Sequence, residues 1–198
     1  MGGRQFSIDI CSGQIFQVAI VVEDIEASMR FYAQHLKIGP FTIMKDFVAP
    51  AGNYRGSTDI PAISIAHVYT GRMFLELIEQ HTETPSVYFE HTEKYGFGLH
   101  HYGIAIAPED YDRVMDEYYA KGFEDVFSDM LPSGARIRYI APKDPSAMTA
   151  MKADSGVSYL ECVDFKPEEE SFFAGMREAA SKWDGKTISV PRTPTPYV

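Results

Sequence analysis

The chain has 198 residues, of which 45% are hydrophobic and 23% charged, and its formal net charge is −10. This composition is typical of a globular protein that can bury a good core. The negative charge argues against nucleic acid or an anionic membrane as the main partner. No run reaches the length of a membrane span and no signal peptide is visible, so we expect a cytoplasmic protein. Cys11 and Cys162 are far apart and are expected to be free thiols.

Hydrophobic periodicity and turn residues divide the chain into two similar halves and a C-terminal part. The first half predicts a strand at 15–22, a helix capped by Asp24, and strands at 41–48, 63–69 and 72–79, with a loop at 49–58. A short helix and linker are predicted at 84–95. The second half predicts a strand at 99–106, a helix at 110–121, strands near 124–131, 135–141 and 156–163, and an extended connection at 141–154. A helix from Lys166 to about Trp183 and an extended tail from Ile188 follow.

Four polar residues recur at equivalent places in these halves. Gln17 and His101 begin matching apolar runs 84 residues apart, and Glu76 and Glu161 lie inside two further apolar runs 85 residues apart. Side chains alternate across a strand, so Gln17 shares a face with Ala19 while bulky neighbours take the other face. His101 shares its face with Gly103 and Ala105 in the same way. Small residues beside the polar ones predict a concave sheet with room for a ligand.

The two glutamates are costly to bury unless they are paired. Each could pair with a buried arginine or lysine, or point outward from an edge strand. Because Glu76 and Glu161 are equivalent and accompany Gln17 and His101, a shared cation is the more economical interpretation. If Thr70-Gly71 is a two-residue turn, His67 and Tyr69 share the face of Glu76, with Arg72 at its rim. A backbone-bonded His67 is the competing interpretation, and a change of loop length by one residue would move it to the other face.

Four segments in this order and spacing resemble the vicinal oxygen chelate superfamily, which includes glyoxalase I, methylmalonyl-CoA epimerase, extradiol dioxygenases and bleomycin-resistance proteins. They are 17–32, 74–78, 98–104 and 159–162, containing Gln17-Val-Ala-Ile-Val-Val-Glu-Asp24, Phe74-Leu-Glu-Leu-Ile78, Gly98-Leu-His-His-Tyr-Gly-Ile104 and Tyr159-Leu-Glu-Cys162. The resemblance implies an α+β fold: tandem βαβββ modules forming a curved eight-stranded half-barrel, plus a C-terminal helix and extended tail. The implied domain covers 14–165, with module one at 14–80 and module two at 98–165, and leaves 166–198 outside it.

The resemblance also implies a divalent metal held by Gln17, Glu76, His101 and Glu161. This donor set suits Zn²⁺, Ni²⁺, Co²⁺ or Mn²⁺ without selecting among them. In glyoxalase- and epimerase-like relatives a last-strand carboxylate moves a proton, so Glu161 is the first choice of catalytic base and Glu76 the second. We therefore expect a metal-dependent isomerase, epimerase or lyase that acts α to the carbonyl of a small-molecule substrate, through an enolate-type intermediate.

Two alternatives remain. A non-catalytic drug-binding or resistance protein has the same fold, although such relatives commonly lack the four ligands. A ring-cleaving dioxygenase is the minor alternative, because Gln17 replaces one histidine of the two-histidine, one-carboxylate iron set. His67, Tyr69, Arg72 and Tyr54 are candidate substrate-binding residues. The apolar side of the C-terminal helix, around Phe172–Met176, offers a face for a homodimer unless it packs on its own domain.

Overall fold

The structure is a computed structural model that describes residues 4–192. Within this range the chain forms a single ten-stranded mixed sheet with five helices. The strands are β1 (Gln14–Val21), β2 (Phe41–Phe47), β3 (Asn53–Tyr54), β4 (Ile63–Tyr69), β5 (Phe74–Gln80), β6 (Gly98–Ile106), β7 (Phe123–Met130), β8 (Arg136–Pro142), β9 (Tyr159–Asp164) and β10 (Ser189–Pro191). The helices are α1 (Ile25–His35), α2 (Val87–Tyr95), α3 (Tyr111–Ala120), α4 (Pro145–Ser155) and α5 (Pro167–Ser181).

The strand order shows the internal repeat directly. The order is β10-β2-β4-β5-β1-β6-β9-β8-β7-β3, so β2-β4-β5-β1 and β6-β9-β8-β7 are equivalent four-stranded halves. The halves join where β1 runs antiparallel to β6. The predicted tandem βαβββ fold is confirmed, and β3 and β10 add short strands at its two edges.

The two repeat helices cover the outer face of the sheet. Asp24 caps α1 by accepting a hydrogen bond from the Ala27 backbone N–H at 2.8 Å, as the sequence predicts. Met29 of α1 packs against β4 and β5, and Met115 of α3 packs against the equivalent strands of the second half. The opposite, inner face carries the four polar residues singled out above. Side-chain alternation along β1 holds, except that a bulge between Ile15 and Gln17 brings Phe16 to the inner face as well.

The β4–β5 hairpin has a longer turn than the sequence predicts. Four residues, 70–73, connect the strands, and the Thr70 N–H donates to the Met73 carbonyl at 2.9 Å. His67 therefore lies opposite Glu76, whereas the predicted two-residue turn would place it opposite Phe74. The predicted pairing is wrong by two residues, and because the side-chain period of a strand is also two, His67 stays on the face of Glu76.

The predicted extended connection at 141–154 is wrong, because Pro145–Ser155 forms helix α4. Asp144 caps it through a 2.8 Å hydrogen bond from the Ser146 N–H, and Pro145 occupies the first turn, where a missing N–H costs nothing. Pro142 ends β8. The two prolines thus mark the end of a strand and the start of a helix.

Helix α5 packs back on the sheet of its own chain. Its Phe173 and Met176 are buried, and the Phe173 ring lies 4.8 Å from the Phe74 ring centroid and 4.9 Å from that of Phe16. The apolar face expected to be available for a homodimer is therefore used within the chain. The same helix carries Phe172, which lies beside His67.

The C-terminal tail and the cysteines complete the description. Residues 189–191 form β10, parallel to β2, and the part of the tail prediction that falls on 193–198 lies outside the described residues, as do Met1–Gly3. Cys11 and Cys162 are both free, as predicted. Over residues 4–192, no helix is both long and apolar enough to cross a membrane.

Candidate metal centre

Four side chains from four strands converge on the inner face at the centre of the sheet. We call Gln17, Glu76, His101 and Glu161 the quartet. The Gln17 Nε2 donates to Glu76 Oε2 at 2.9 Å and to Glu161 Oε2 at 3.3 Å. His101 Nε2 lies 3.3 Å from each of the same two oxygens. All four side chains are at most 7% exposed, so the two carboxylates share one buried point.

The repeat explains why these side chains meet. β1 and β6 are adjacent at the junction of the halves; Gln17 lies on one and His101 on the other. Each glutamate lies on the strand that runs parallel to one of these two. Glu76 on β5 pairs with Ala19 of β1, and Glu161 on β9 pairs with Gly103 of β6. A Cβ at Gly103 would lie 2.9 Å from the Gln17 Cβ and 3.3 Å from Glu161 Oε2. The small residue thus leaves the space that the quartet occupies.

A chain of hydrogen bonds fixes the orientation and tautomer of His101. His100 Nε2 lies 3.1 Å from the Val87 carbonyl, which can only accept, so this nitrogen carries the proton. Burial holds the pKa of His100 well below its ordinary value, and neutral His100 must therefore accept at Nδ1. His101 Nδ1 lies 2.8 Å away and is the donor. In the neutral form of His101, the Nε2 lone pair then points at the two glutamates.

The buried carboxylates of the quartet need compensating positive charge nearby. Burial opposes ionisation of Glu76, but the charge of His67 and hydrogen bonds from His101 and His67 outweigh it and lower the pKa to about 2. Burial likewise opposes protonation of His101, yet the charge of Glu161 and hydrogen bonds to both glutamates raise its pKa to about 9. Without another cation, a proton on His101 therefore neutralises part of the carboxylate charge. Among the described residues, no lysine or arginine forms an ion pair with Glu76 or Glu161.

The quartet fits a divalent metal ion. One donor atom each from Glu76, His101 and Glu161 lies within 4.8 Å of the others. His101 Nε2 and Gln17 Oε1 are buried, and within the described chain neither atom makes a hydrogen bond of good geometry. A rotation of the Gln17 amide exchanges Oε1 with Nε2 and would turn its oxygen toward the glutamates. Two carboxylates, an imidazole and an amide oxygen are ligands that Zn²⁺, Ni²⁺, Co²⁺ and Mn²⁺ accept.

His67 contacts the quartet from the side. Its Nε2 lies 3.1 Å from Glu76 Oε1, the oxygen that does not face His101. Its ring packs edge-on against Phe172 and Phe173 at centroid distances of 5.9 and 5.8 Å. The backbone-bonded alternative for His67 is therefore not what the structure has. Glu76 is held at both oxygens, by His67 on one side and by the quartet on the other.

An apolar cavity of about 120 Å³ lies against the quartet. Gln17, Glu76 and Glu161 form part of its wall. Most of the remaining wall is hydrophobic and is provided by residues such as Phe47, Ile63, Ile65, Phe127, Ile137 and Phe172. Such a mostly apolar cavity with a few convergent polar groups is the usual form of a small-molecule site.

Two of the four predicted substrate-binding residues line the cavity and two do not. His67 and Tyr54 line the cavity, and the Tyr54 hydroxyl donates to Glu90 at 2.7 Å. Tyr69 packs against Phe74 and donates to the Gly71 carbonyl at 2.8 Å, and Arg72 is exposed in the hairpin turn. Neither Tyr69 nor Arg72 lines the cavity.

Several residues at the site were not identified from the sequence. Side-chain alternation along β6 predicts that His100 points away from His101, and the sequence predicts a surface position for His91, yet both are buried and their rings pack together. Glu169 and Arg192 line the cavity from α5 and from the residue after β10. For His100, the available sequence signal was its position next to the candidate ligand His101. Glu169 and Arg192 lie beyond the repeat, where the sequence pattern gave no register.

The fold and the site together define a class of protein: two βαβββ modules that bring a glutamine, a histidine and two glutamates to one point beside an apolar cavity. A sequence model of the Glyoxalase/Bleomycin resistance protein/Dioxygenase superfamily matches residues 16–141. The chain belongs to this superfamily, which confirms the resemblance to the vicinal oxygen chelate proteins. A search of curated proteins finds no match.

Solved structures show the same fold. A hypothetical protein, BH1468, from Bacillus halodurans C-125 is similar with a TM-score of 0.51 and 19% identity, covering 77% of this chain and 94% of that one. Methylmalonyl-CoA epimerase from Mycobacterium tuberculosis is similar with a TM-score of 0.50 and 17% identity, covering 80% and 91%. At these identities the likeness concerns the fold alone.

Proposed function

We propose that this protein is a divalent-metal-dependent isomerase, epimerase or lyase that moves a proton α to the carbonyl of a small-molecule substrate. One observation carries the proposal: two buried carboxylates, from equivalent strands of the two modules, face the same point at the wall of an apolar cavity. If the two buried acids served only to stabilise the fold, their position at a cavity wall would have no explanation.

The quartet residues would hold the metal. A bound divalent cation supplies Lewis-acid polarisation of a substrate carbonyl and so favours loss of the α-proton. His100 orients His101 for this role by accepting its Nδ1 proton. His67 keeps Glu76 Oε2 turned toward the quartet by binding Oε1.

Glu161 is the residue that we propose to remove the α-proton. Its carboxylate borders the cavity, and its partners among the described residues are Gln17 and His101, with none equivalent to His67. Glu76, from the equivalent strand of the other module, reaches the same point and could return a proton on the opposite face of the carbon. Two bases on either side of one carbon suit epimerisation or isomerisation.

The cavity wall supports this chemistry by excluding water. Phe47, Phe127 and Phe172 give the site a low local polarity, in which a charge developing on the substrate interacts strongly with fixed polar groups. The Tyr88 and Tyr139 hydroxyls, 3.2 Å apart, lie on the same wall, and burial raises both pKa values. They stay protonated and can donate hydrogen bonds to a substrate oxygen.

The experiment is α-proton exchange. Metal-reconstituted protein is incubated in D₂O with a panel of 2-hydroxy ketones, α-keto acids and thioesters, and deuterium incorporation is followed by proton NMR. Glu161→Gln should lower the exchange rate of any substrate by on the order of 10²–10⁴-fold, the usual contribution of a general base. Metal content is measured on the same samples, because the amide oxygen of glutamine can still act as a ligand.

Glu178→Gln on the exposed side of α5 is the matched control and should exchange like the wild type. Full exchange activity of a metal-loaded Glu161→Gln variant would contradict the role of Glu161. Tight binding of an apolar ligand without exchange of any compound would favour the non-catalytic binding protein instead, a function that the hydrophobic cavity wall also suits.

A further inference from the structure

Arg192 brings a positive charge to the cavity from outside the repeat. It follows β10, which runs parallel to β2, and its backbone N–H donates to the Ile43 carbonyl at 2.9 Å. This pairing continues the register of Pro191 with Ile43 and fixes where the arginine leaves the sheet edge. The arginine lines the same cavity as the quartet.

The guanidinium group lies between two apolar side chains of the cavity wall. Its central carbon is 4.2 Å from the centroid of the Phe172 ring, and Nη1 is 3.6 Å from the Met44 sulfur. Stacking on an aromatic face holds the planar group in place while its N–H edge remains available. The sulfur is a weak acceptor and leaves most of the donors without a strong partner.

Within the part of the chain that the structure describes, Arg192 has no internal counter-ion. Among residues 4–192, no carboxylate oxygen lies within 4.0 Å of its guanidinium nitrogens. It is the only arginine or lysine among the described residues of the cavity wall. The acids of the wall outside the quartet, Asp129 and Glu169, accept from the Ala51 N–H and the Ser133 hydroxyl respectively. Burial raises the pKa of both carboxyl groups.

We propose that Arg192 binds an anionic group, a carboxylate or a phosphate, at the end of the substrate remote from the quartet. The inference rests on the proposed function, which places the reacting carbonyl at the quartet. Arginine presents a donor fork that matches the paired oxygens of carboxylate and phosphate. The substrate class is then a carbonyl compound with an anionic tail, and the segment after the repeat sets this specificity.

Isothermal titration calorimetry on the metal-reconstituted protein tests this with paired α-keto acids. Oxaloacetate, α-ketoglutarate and α-ketoadipate each carry a remote carboxylate, and α-ketobutyrate, α-ketovalerate and α-ketocaproate are monoacids of equal length that lack it. We expect at least one diacid to bind about 10-fold or more tightly than its partner. Arg192→Gln should abolish this preference while leaving the monoacid affinity within about 2-fold, and Arg192→Lys should retain part of it.

Arg113→Gln removes an equal charge from an exposed position on α3 and should keep the preference. Glycerol phosphate competing against the bound diacid distinguishes a phosphate tail from a carboxylate tail. Absence of a preference in the wild type, equal losses for both acids in Arg192→Gln, or no binding of any acid would overturn the proposal. Metal content is determined separately. If no metal binds, the proposed function fails, and the same titrations on metal-free protein still decide whether Arg192 selects the diacid.

Discussion

Replacement of His100 tests how the protein prepares His101 for a metal. In His100→Phe the ring volume is kept, and the contacts of this ring with Tyr88, Tyr139 and Tyr159 at 5.0–6.1 Å remain possible. Both ring nitrogens are lost. The His101 Nδ1 proton then has no acceptor, and the Val87 carbonyl loses its donor.

The expected magnitude follows from these two lost hydrogen bonds. A buried donor left without a partner costs about 1–3 kcal/mol. Outer-shell partners of metal-binding histidines typically account for about 10–100-fold in metal affinity, which is about 1.4–2.8 kcal/mol. The two figures agree, so we expect the metal dissociation constant of His100→Phe to rise by about 10–100-fold.

The assay is competitive metal titration against a fluorescent chelator, with the thermal stability of the metal-free protein measured alongside. His91→Phe is the matched control: His91 is also buried, its ring lies 5.0 Å from that of His100, and its Nδ1 bonds the Ser158 hydroxyl at 2.8 Å rather than His101. It should lose folding stability but keep metal affinity within about 2-fold. An unchanged affinity in His100→Phe, or an equal loss in both variants, would refute the reasoning.

Three further predictions concern folding stability, measured by thermal or urea unfolding of the metal-free protein. Gly103→Ala places a Cβ 2.9 Å from both the Gln17 Cβ and the Phe16 ring, and both of these side chains are buried. The substitution should therefore lower the free energy of unfolding by about 1–3 kcal/mol. An unchanged free energy of unfolding would contradict this, because it would mean that the neighbouring strands move apart at no cost. Phe173→Ala removes the ring that joins α5 to the sheet and should cost about 3–5 kcal/mol, whereas a loss below about 1 kcal/mol would show that α5 contributes little to the core. Burial, then the charges of Lys152 and His101, lower the pKa of His91 from 6.5 to about 4, so the neutral form stabilises the fold. This contribution, up to about 3 kcal/mol, is complete above about pH 6.5 and is lost as the pH falls toward 4. His91→Phe should flatten this pH dependence, and an unchanged slope would contradict it.

The internal repeat made the quartet predictable from the sequence, whereas the residues around the quartet are positioned by tertiary contacts. A strand fixes which side chains share a face, and the duplication fixed which strands are equivalent, so the meeting of Gln17, Glu76, His101 and Glu161 followed from two local rules. His67 kept its predicted face only because the turn was longer by two residues.

Other features had no such periodic signal. The segment 141–154 was predicted to be extended, although Pro145 begins a helix there. His91 and His100 meet because α2 packs against β6, and Arg192 reaches the cavity because β10 pairs with β2. Each depends on contacts between segments distant in sequence, for which neighbouring residues carry no information.

The central claim is that the quartet binds a divalent metal, and metal content tests it most directly. Protein purified without chelator is analysed by inductively coupled plasma mass spectrometry beside a Glu76→Ala/Glu161→Ala variant, with folding of the variant verified by circular dichroism. We predict close to one divalent ion per wild-type chain and loss of that ion in the variant. A wild-type protein that holds no metal even after reconstitution, or a folded variant that retains it, would contradict the claim.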